Sequence, residues 1–391
     1  MLSRLFSAVR CSVTRHTQES PFIVRVTRKA EAEPQEQYRP GGYHPISIGD
    51  VFNERYCVVE QIGWSFYSTV WHVEDFLTQS RAAMKVIASR ITKNKAGWDE
   101  RGCMIALRDQ NPQAPGHGHI CQLFDTFMVD GPNGRHICLI IEIMGPTVLD
   151  IYCCSPRSGF KFLPLFLVKR ISQHVLLALQ YMHETCNIVH TDIKGNDIFM
   201  TGIPSTPVLP EMLEITDHAF KTTTFKLGDF SKASRMSNRR VKLIQPTTLR
   251  APEVLVGAEW DVKADIFNLG CLIYELVCHV PLFNPEWNKE KTGFDAPQTH
   301  LAQMIALLGK FPQSLLTKGT ATENYFDSEG NLLKGSGEYK MTLHKLLSCT
   351  PYSWKELTSM VDFLSKALII DPVERWSASQ LLAHPWLQDV H

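Results

Sequence analysis

From residue 56 the apolar positions come in short runs, rich in Val, Ile and aromatic residues and separated by turn formers. "YCVVEQIG", "TVWHVEDF" and "AAMKVIA" predict three strands. "WDERGCMIALRDQ" is spaced as a helix, and a breaker-rich loop separates it from two further strands, "CQLFDTFMV" and "HICLIIEIM". Residues 56–144 are therefore expected to form a mostly β unit with one helix. After Gly145 the period lengthens. "LVKRISQHVLLALQYMHET" and "KADIFNLGCLIYELVCH" predict long amphipathic or buried helices, so residues 145–388 are expected to be mainly α. The class is α+β, and 391 residues favour two lobes over a single compact unit. No internal repeat is visible.

Composition narrows the function classes. Lys+Arg and Asp+Glu number 40 each, so there is no basic excess pointing to direct nucleic-acid binding. No apolar run approaches the roughly 18 residues needed to span a bilayer. Eleven scattered cysteines without a C-x-x-C pair fit a reducing compartment, cytoplasmic or nuclear. His117, His119 and Cys121 lie close together, but no second ligand cluster has matching spacing, and the segment reads as a Gly/Pro-rich loop entering a strand. Residues 1–42 differ in kind. Arg4, Arg10, Arg15, Arg25, Arg28 and Lys29 face one acid, Glu19, before residue 30. Leu2, Leu5, Phe6 and Val9 share a helical face, as in a mitochondrial presequence; the plainer alternative is a disordered basic tail. "EAEPQEQYRPGGYHP" then reads as a linker into the folded domain, taken as 43–388.

The candidate chemistry is that of phosphate and metal. In "IGWSFYSTVW" Gly63 opens a turn between two strands, where backbone N–H groups can approach phosphate; Ser65 and Ser68 take the other two places of a G-x-G-x-x-G pattern. Lys85 follows on the next strand, within reach of phosphate oxygens, and Glu100 on the next helix can hold it in an ion pair. In "NIVHTDIKGNDIF" Asp192 can position an attacking hydroxyl and take its proton, and Lys194 can balance charge on a transferring phosphoryl group. Asp229, after a short strand in "FKLGDFS", offers a hard oxygen ligand to Mg²⁺. Either aspartate alone reads as a loop cap. The ordered set of Lys85, Glu100, Asp192, Lys194, Asp229 and "APE" at 251–253 does not.

On these motifs the chain resembles the eukaryotic protein kinases from about residue 56 to 387. Within them it resembles the SR-protein kinases, especially their divergent fungal relatives. The resemblance rests on the lead-in "YRPGGYHPISIGDVFNERYCVVEQIG", "STVW", "HTD", "IQPTTLRAPEVLVG", "MIALLGKFP" and "LLAHPWL". It implies a bilobal kinase fold with ATP in the cleft. Val70, Ala83 and Phe199 would enclose adenine, Ile141 would be the gatekeeper, and Glu142 and Met144 would make hinge backbone contacts. Met104, His190 and Phe230 would stack as a spine, Asp265 would anchor the catalytic loop, and Glu253 would pair with Arg375. The implied activity is transfer of the γ-phosphoryl of ATP to protein Ser or Thr with Mg²⁺ or Mn²⁺, by a chain expected to be monomeric. The alternative is a pseudokinase scaffold.

Four positions depart from the family pattern. Ser65 replaces a loop glycine, Ser231 the glycine of D-F-G, Pro246 a threonine that contacts the catalytic aspartate and lysine, and Asp197 the metal-binding asparagine. Asp197 remains an oxygen ligand, and its added charge is expected to raise the pKa values of Asp192 and Asp229 unless metal is bound. Asn196 is not expected to substitute, because a one-residue shift in extended chain reverses a side chain. The balance favours a slow but working enzyme. Thr191 stands where an arginine grips an activation-loop phosphate, so loop phosphorylation loses its main partner. Lys232, Arg235, Arg239, Arg240 and Lys242 make the activation segment basic, read as a solvated loop. Asp295 is the single acid in "FDAPQTH", so the groove by which relatives dock Arg/Ser repeats looks depleted.

Overall fold

The computed structural model describes residues 23–26, 33–93, 99–155, 162–202, 213–239, 241–287, 293–334 and 341–388. The strands are β1 Val24–Val26, β2 Val51–Phe52, β3 Tyr56–Ser65, β4 Ser68–Asp75, β5 Ser80–Ile87, β6 Leu123–Gly131, β7 Gly134–Ile141, β8 Ile188–Val189, β9 Ile198–Met200, β10 Leu213–Ile215, β11 Phe225–Leu227 and β12 Ser234–Arg235. The helices used below are α1 Glu100–Asp109, α2 Val148–Cys154, α3 Leu165–Gln180, α4 Lys263–Cys278, α5 Ala296–Leu308 and α6 Trp354–Ala367.

The strands expected over 56–144 form one antiparallel sheet in the order β2-β3-β4-β5-β7-β6. Alternation sends Tyr56, Val58, Trp71, Val73, Met84, Val86, Cys138 and Ile140 into one small core. α1 crosses beside this sheet. It buries Glu100, Cys103, Met104 and Leu107, the stripe that a 3.6-residue period predicts, and Asp99 caps its first turn by accepting the Gly102 N–H. Below, α4 is buried almost all round in the larger core, while α3 is amphipathic and buries its apolar face there. The two long helices match their expected spans, except that the last turn of the first, Tyr181–Thr185, widens into a π-turn.

Three two-stranded ladders set the loops of the cleft. β9 pairs with β11, β8 with β12, and β1 with β10. The last pairing falls within the segment expected to be an extension. Val24 and Val26 are buried together with Ile215 and Phe220, so this short stretch is held against the helical lobe. Residues 34–44, read as linker, also pack down: Gly41 N–H donates to Asn133 C=O, and the Tyr43 ring is buried. The remaining residues of the presequence reading, 1–22 and 27–32, lie outside the described residues, as do 203–212 of the insertion between catalytic loop and metal strand. No helix among the described residues is long and apolar enough to cross a membrane.

Two buried histidines tie this packing to pH. Burial pushes the imidazoles of His174 and His300 down to about 3. Phe225 N–H donates to His174 Nδ1 at 3.0 Å, and His300 sits 5.1 Å from the Phe283 ring with neither ring nitrogen hydrogen-bonded. Both fold as neutral rings. An unfolded histidine titrates near 6.5, so below that pH the unfolded chain takes protons that the folded chain refuses. Stability from these sites is whole above pH ~6.5 and falls as pH drops toward 3, by up to about 1.4 kcal/mol per pH unit for each ring. His300→Leu is expected to flatten the decline of unfolding midpoint between pH 7 and pH 5. Parallel slopes for variant and wild type would remove His300 from this account.

Candidate active site

Lys85 lies inside β5, opposite Val70 of β4 and two residues beyond Ala83 on the same face. Its Nζ is 2.6 Å from Glu100 Oε1 and 2.9 Å from Asp229 Oδ1, so the ion pair expected from sequence forms and extends to the other lobe. Burial alone would push the Lys85 ammonium down. The two carboxylates outweigh it and hold the charged form above its ordinary value. The reciprocal effect overturns one expectation. Burial pushes Asp229 up, yet Lys85, helped by the Ser231 hydroxyl and Lys194, brings it below the usual carboxylate range. Asp197 has only Lys194, 3.2 Å away, and burial followed by repulsion from Asp229 outweighs it and raises Asp197 well above that range.

The catalytic loop hangs from Asp265, in the first turn of α4. That buried carboxylate accepts the main-chain N–H groups of His190 at 2.7 Å and Thr191 at 2.9 Å, and lies 2.9 Å from His183 Nε2. These bonds offset a left-handed backbone at Thr191, φ 69°, which a β-branched residue rarely adopts. The His190 ring meets Phe230 edge-on at 5.6 Å, in the apolar cluster that also holds Met104. Asp192 Oδ2 accepts from Lys194 Nζ at 2.7 Å. Residues Gly195–Asp197 make a single 3-10 turn rather than extended chain. The turn exposes Asn196 and buries Asp197, so Asn196 is directed away for a different reason than the expected strand-like reversal. Asp197 C=O accepts Gly228 N–H at 2.7 Å, which sets the turn beside Asp229.

Asp197 Oδ2 is buried and has no hydrogen-bond partner; Lys194 Nζ is 3.2 Å away, outside bonding geometry. A buried carboxylate oxygen without a donor is costly unless a cation takes it. Asp229 presents a partly exposed carboxylate beside it. These two carboxylates fit a divalent ion, which prefers oxygen ligands. Among the described residues no three His, Cys, Asp or Glu side chains converge as a closed metal cage. His119 Nδ1 instead lies 3.2 Å from Phe225 C=O and its ring packs on His174, while His117 packs on Tyr181, as structural residues of a 3-10 turn.

The remaining residues are those that the resemblance assigns to the nucleotide. A Cβ added at Gly63 would meet only Val70, at 3.9 Å, so the protein's own packing does not require that glycine. The hairpin after it is braced: Ser65 Oγ and Ser68 Oγ are 3.1 Å apart, Ser65 Oγ accepts Tyr67 N–H, and Tyr43 Oη donates to Ser65 C=O at 2.6 Å. Arg90 donates to Phe66 C=O and stacks on its ring. Phe199 of β9 leans on Gly228, where a Cβ would be 3.0 Å from its ring. Ile141, the expected gatekeeper, pairs with Ala83. Glu142 N–H donates to Gln122 C=O, its carboxylate binds Lys226 at 2.7 Å, and its C=O accepts the Cys121 thiol at 4.0 Å. The Met144 N–H and C=O make no hydrogen bond among the described residues.

The basic activation segment is less free than its sequence suggests. Arg235 donates to Gly102 C=O at 2.7 Å, and Arg239 donates to Trp260 C=O and lies 3.6 Å from Glu259. Lys232 turns inward, 3.0 Å from Asp192 Oδ2; sequence reasoning missed this, and only its place three residues after Asp229 hints at it. Arg240 lies outside the described residues. Asp295 is also engaged, since its carboxylate caps α5 by accepting Gln298 N–H at 2.8 Å.

Comparison with known proteins places this geometry in context. The protein kinase domain family matches residues 56–387. A serine/threonine-protein kinase SRPK of Physarum polycephalum is 29% identical over 92% of this chain and 92% of its own length. A serine/threonine protein kinase of Aspergillus fumigatus is 30% identical, covering 92% and 91%. Protein kinase dsk1 of Schizosaccharomyces pombe is 24% identical, covering 93% and 86%. The chain belongs to the protein kinase family, and within it to the company of the SR-protein kinases.

Proposed function

We propose that this chain transfers the γ-phosphoryl group of ATP to a serine or threonine hydroxyl of a protein. The observation that carries the reading is two groups of ion pairs that feel each other's charge: Lys85 with Glu100 and Asp229, and Lys194 with Asp192 and Asp197. Asp192 orients the acceptor hydroxyl and takes its proton. Lys194 faces the transferring group, and Lys85, fixed by Glu100, holds the phosphates of the donor. Val70, Ala83 and Phe199 enclose the base, which the main chain of Glu142 and Met144 recognises, and Gly63 leaves room above the phosphates. Asp197 and Asp229 would hold Mg²⁺ or Mn²⁺, which would supply neutralisation of the charge on the phosphoryl group. The acceptor is a protein Ser or Thr, Arg/Ser-rich sequences included, but the groove for long repeats is depleted, since Asp295, the single acid of "FDAPQTH", is already a helix cap.

A scaffold without turnover is the second reading, and it draws on Ser65. Its hydroxyl takes the Tyr67 N–H, one of the backbone donors that a phosphate-covering turn would offer.

Metal dependence decides between the two. Asp197→Asn removes a repelled carboxylate and leaves an oxygen ligand, so transfer with Mg²⁺ to a mixed Ser/Thr peptide array is expected to hold or rise. Asp197→Ala is expected to cut it by about tenfold or more, the scale of one lost charged contact. Mn²⁺ is expected to support wild-type turnover at least as well as Mg²⁺, since it binds such oxygen sites more tightly. If Asp197→Ala transfers as fast as wild type with either ion, Asp197 is not a ligand.

A further inference from the structure

The turn Phe230–Lys232 places a second ammonium, beside Lys194, at the reacting carboxylate. Lys232 is fixed at both ends. Its C=O accepts the Thr191 hydroxyl at 2.8 Å, and its Nζ lies 3.0 Å from Asp192 Oδ2. Lys194 Nζ reaches the same oxygen at 2.7 Å while also lying 3.2 Å from Asp197 Oδ2. Asp192 Oδ1 takes no hydrogen bond among the described residues, so both cations converge on one carboxylate oxygen and leave the other open.

The charges explain why two cations are needed. Lys85 faces Glu100 and Asp229, while Lys194 and Lys232 face Asp192, and Lys194 also faces Asp197. Lys85 is committed to Glu100 and Asp229. Without Lys232, Lys194 alone would serve both Asp192 and the buried Asp197, and the pull of Asp197 would draw it off Asp192. Like charges so close in a cleft walled by protein are poorly screened. Asp197 therefore adds a carboxylate on one side of Lys194, and Lys232 adds an ammonium on the other.

We propose that Lys232 is a positioning residue of the transfer site: it holds Asp192 through Oδ2, keeps Oδ1 free for the acceptor hydroxyl, and offsets the carboxylate contributed by Asp197. Lys232 and Asp197 then form a coupled pair that do not touch each other but share Lys194 and Asp192 between them. The inference rests on the phosphoryl-transfer reading for its role in turnover, and not for the coupling itself.

A double-mutant cycle tests it. Lys232→Met keeps the aliphatic stem and removes the charge. In full-length protein it is expected to lower kcat for Ser/Thr peptide about ten- to a hundredfold, the scale of one charged hydrogen bond, with the KM for ATP unchanged. In an Asp197→Asn background the same substitution is expected to cost only about threefold, because Lys194 is released to Asp192. Lys232→Arg is expected to recover most of the loss. The cycle is also read without nucleotide, metal or turnover, as the unfolding midpoint in urea. Lys232→Met should lower the midpoint in the wild-type background and lower it less in the Asp197→Asn background. Equal losses in both backgrounds, in kcat and in midpoint, overturn the proposal, as does a Lys232→Met protein with wild-type kcat. If the wild-type chain transfers no phosphate, the transfer reading fails while the urea cycle still decides the coupling: a smaller loss in the Asp197→Asn background supports it and additivity overturns it.

Discussion

Asp192→Asn is expected to lower phosphate transfer by two to four orders of magnitude, the range associated with a positioned proton acceptor. Asparagine keeps the size of the side chain and one carbonyl oxygen, but it cannot take a proton or draw two ammonium groups to a single oxygen. Lys194 at 2.7 Å and Lys232 at 3.0 Å would lose the charge that gathers them. Binding of Mg-ADP should survive, because Lys85, Glu100 and Asp229 make their contacts without Asp192. Steady-state transfer and calorimetric nucleotide binding, measured on the same preparation, separate the two effects. If wild type and Asp192→Asn transfer at the same low rate while both bind nucleotide, the protein is a nucleotide-holding scaffold.

Arg375→Met is expected to produce the largest loss of stability, about 3–5 kcal/mol, as for breaking one half of a buried ion pair. Arg375 and Glu253 are both 0% exposed in their side chains and form two parallel bonds of 2.8 and 2.9 Å. The guanidinium also donates to Ile369, Ile370 and Lys263 carbonyls and lies 5.0 Å over the Phe267 ring. Methionine fills part of the volume but leaves the Glu253 carboxylate buried without a counter-charge. The double substitution Glu253→Gln, Arg375→Met removes both charges and is expected to lose less than Arg375→Met alone. Urea unfolding of the three variants reads the comparison. A loss below about 1 kcal/mol for Arg375→Met, the scale of an exposed pair, would mean the bridge is solvated in solution.

Much of this arrangement was legible along the chain because it depends on short-range pattern. Alternation gave the strands of the sheet, the 3.6-residue stripe gave α1, and long amphipathic or buried spans gave α3 and α4. The spacing of Lys85, Glu100, Asp192, Lys194 and Asp229 pointed to one cleft, since each follows an element whose end or edge is predictable. The pairing of Lys85 with Glu100 followed from their places on successive elements, and that of Glu253 with Arg375 from the family resemblance.

What the chain alone left open concerns which way a side chain turns once distant segments meet. Lys232 reads as one cation in a basic loop, and a short 3-10 turn aims it at Asp192 of the catalytic loop. Asp229 was expected to be raised by its carboxylate neighbours, and Lys85 reverses that from 144 positions away. Asn196 and Asp197 are adjacent letters with opposite fates, exposed and buried, because a turn rather than a strand carries them. Val24 and Val26 sit in a segment read as extension, and their burial depends on a partner strand at 213–215. The amino-acid sequence by itself determined the elements, the two-lobed class and the residues able to do chemistry, because propensity and periodicity act over a few residues. Only the tertiary structure decided which carboxylate meets which ammonium, because burial and Coulomb interaction depend on distances in space.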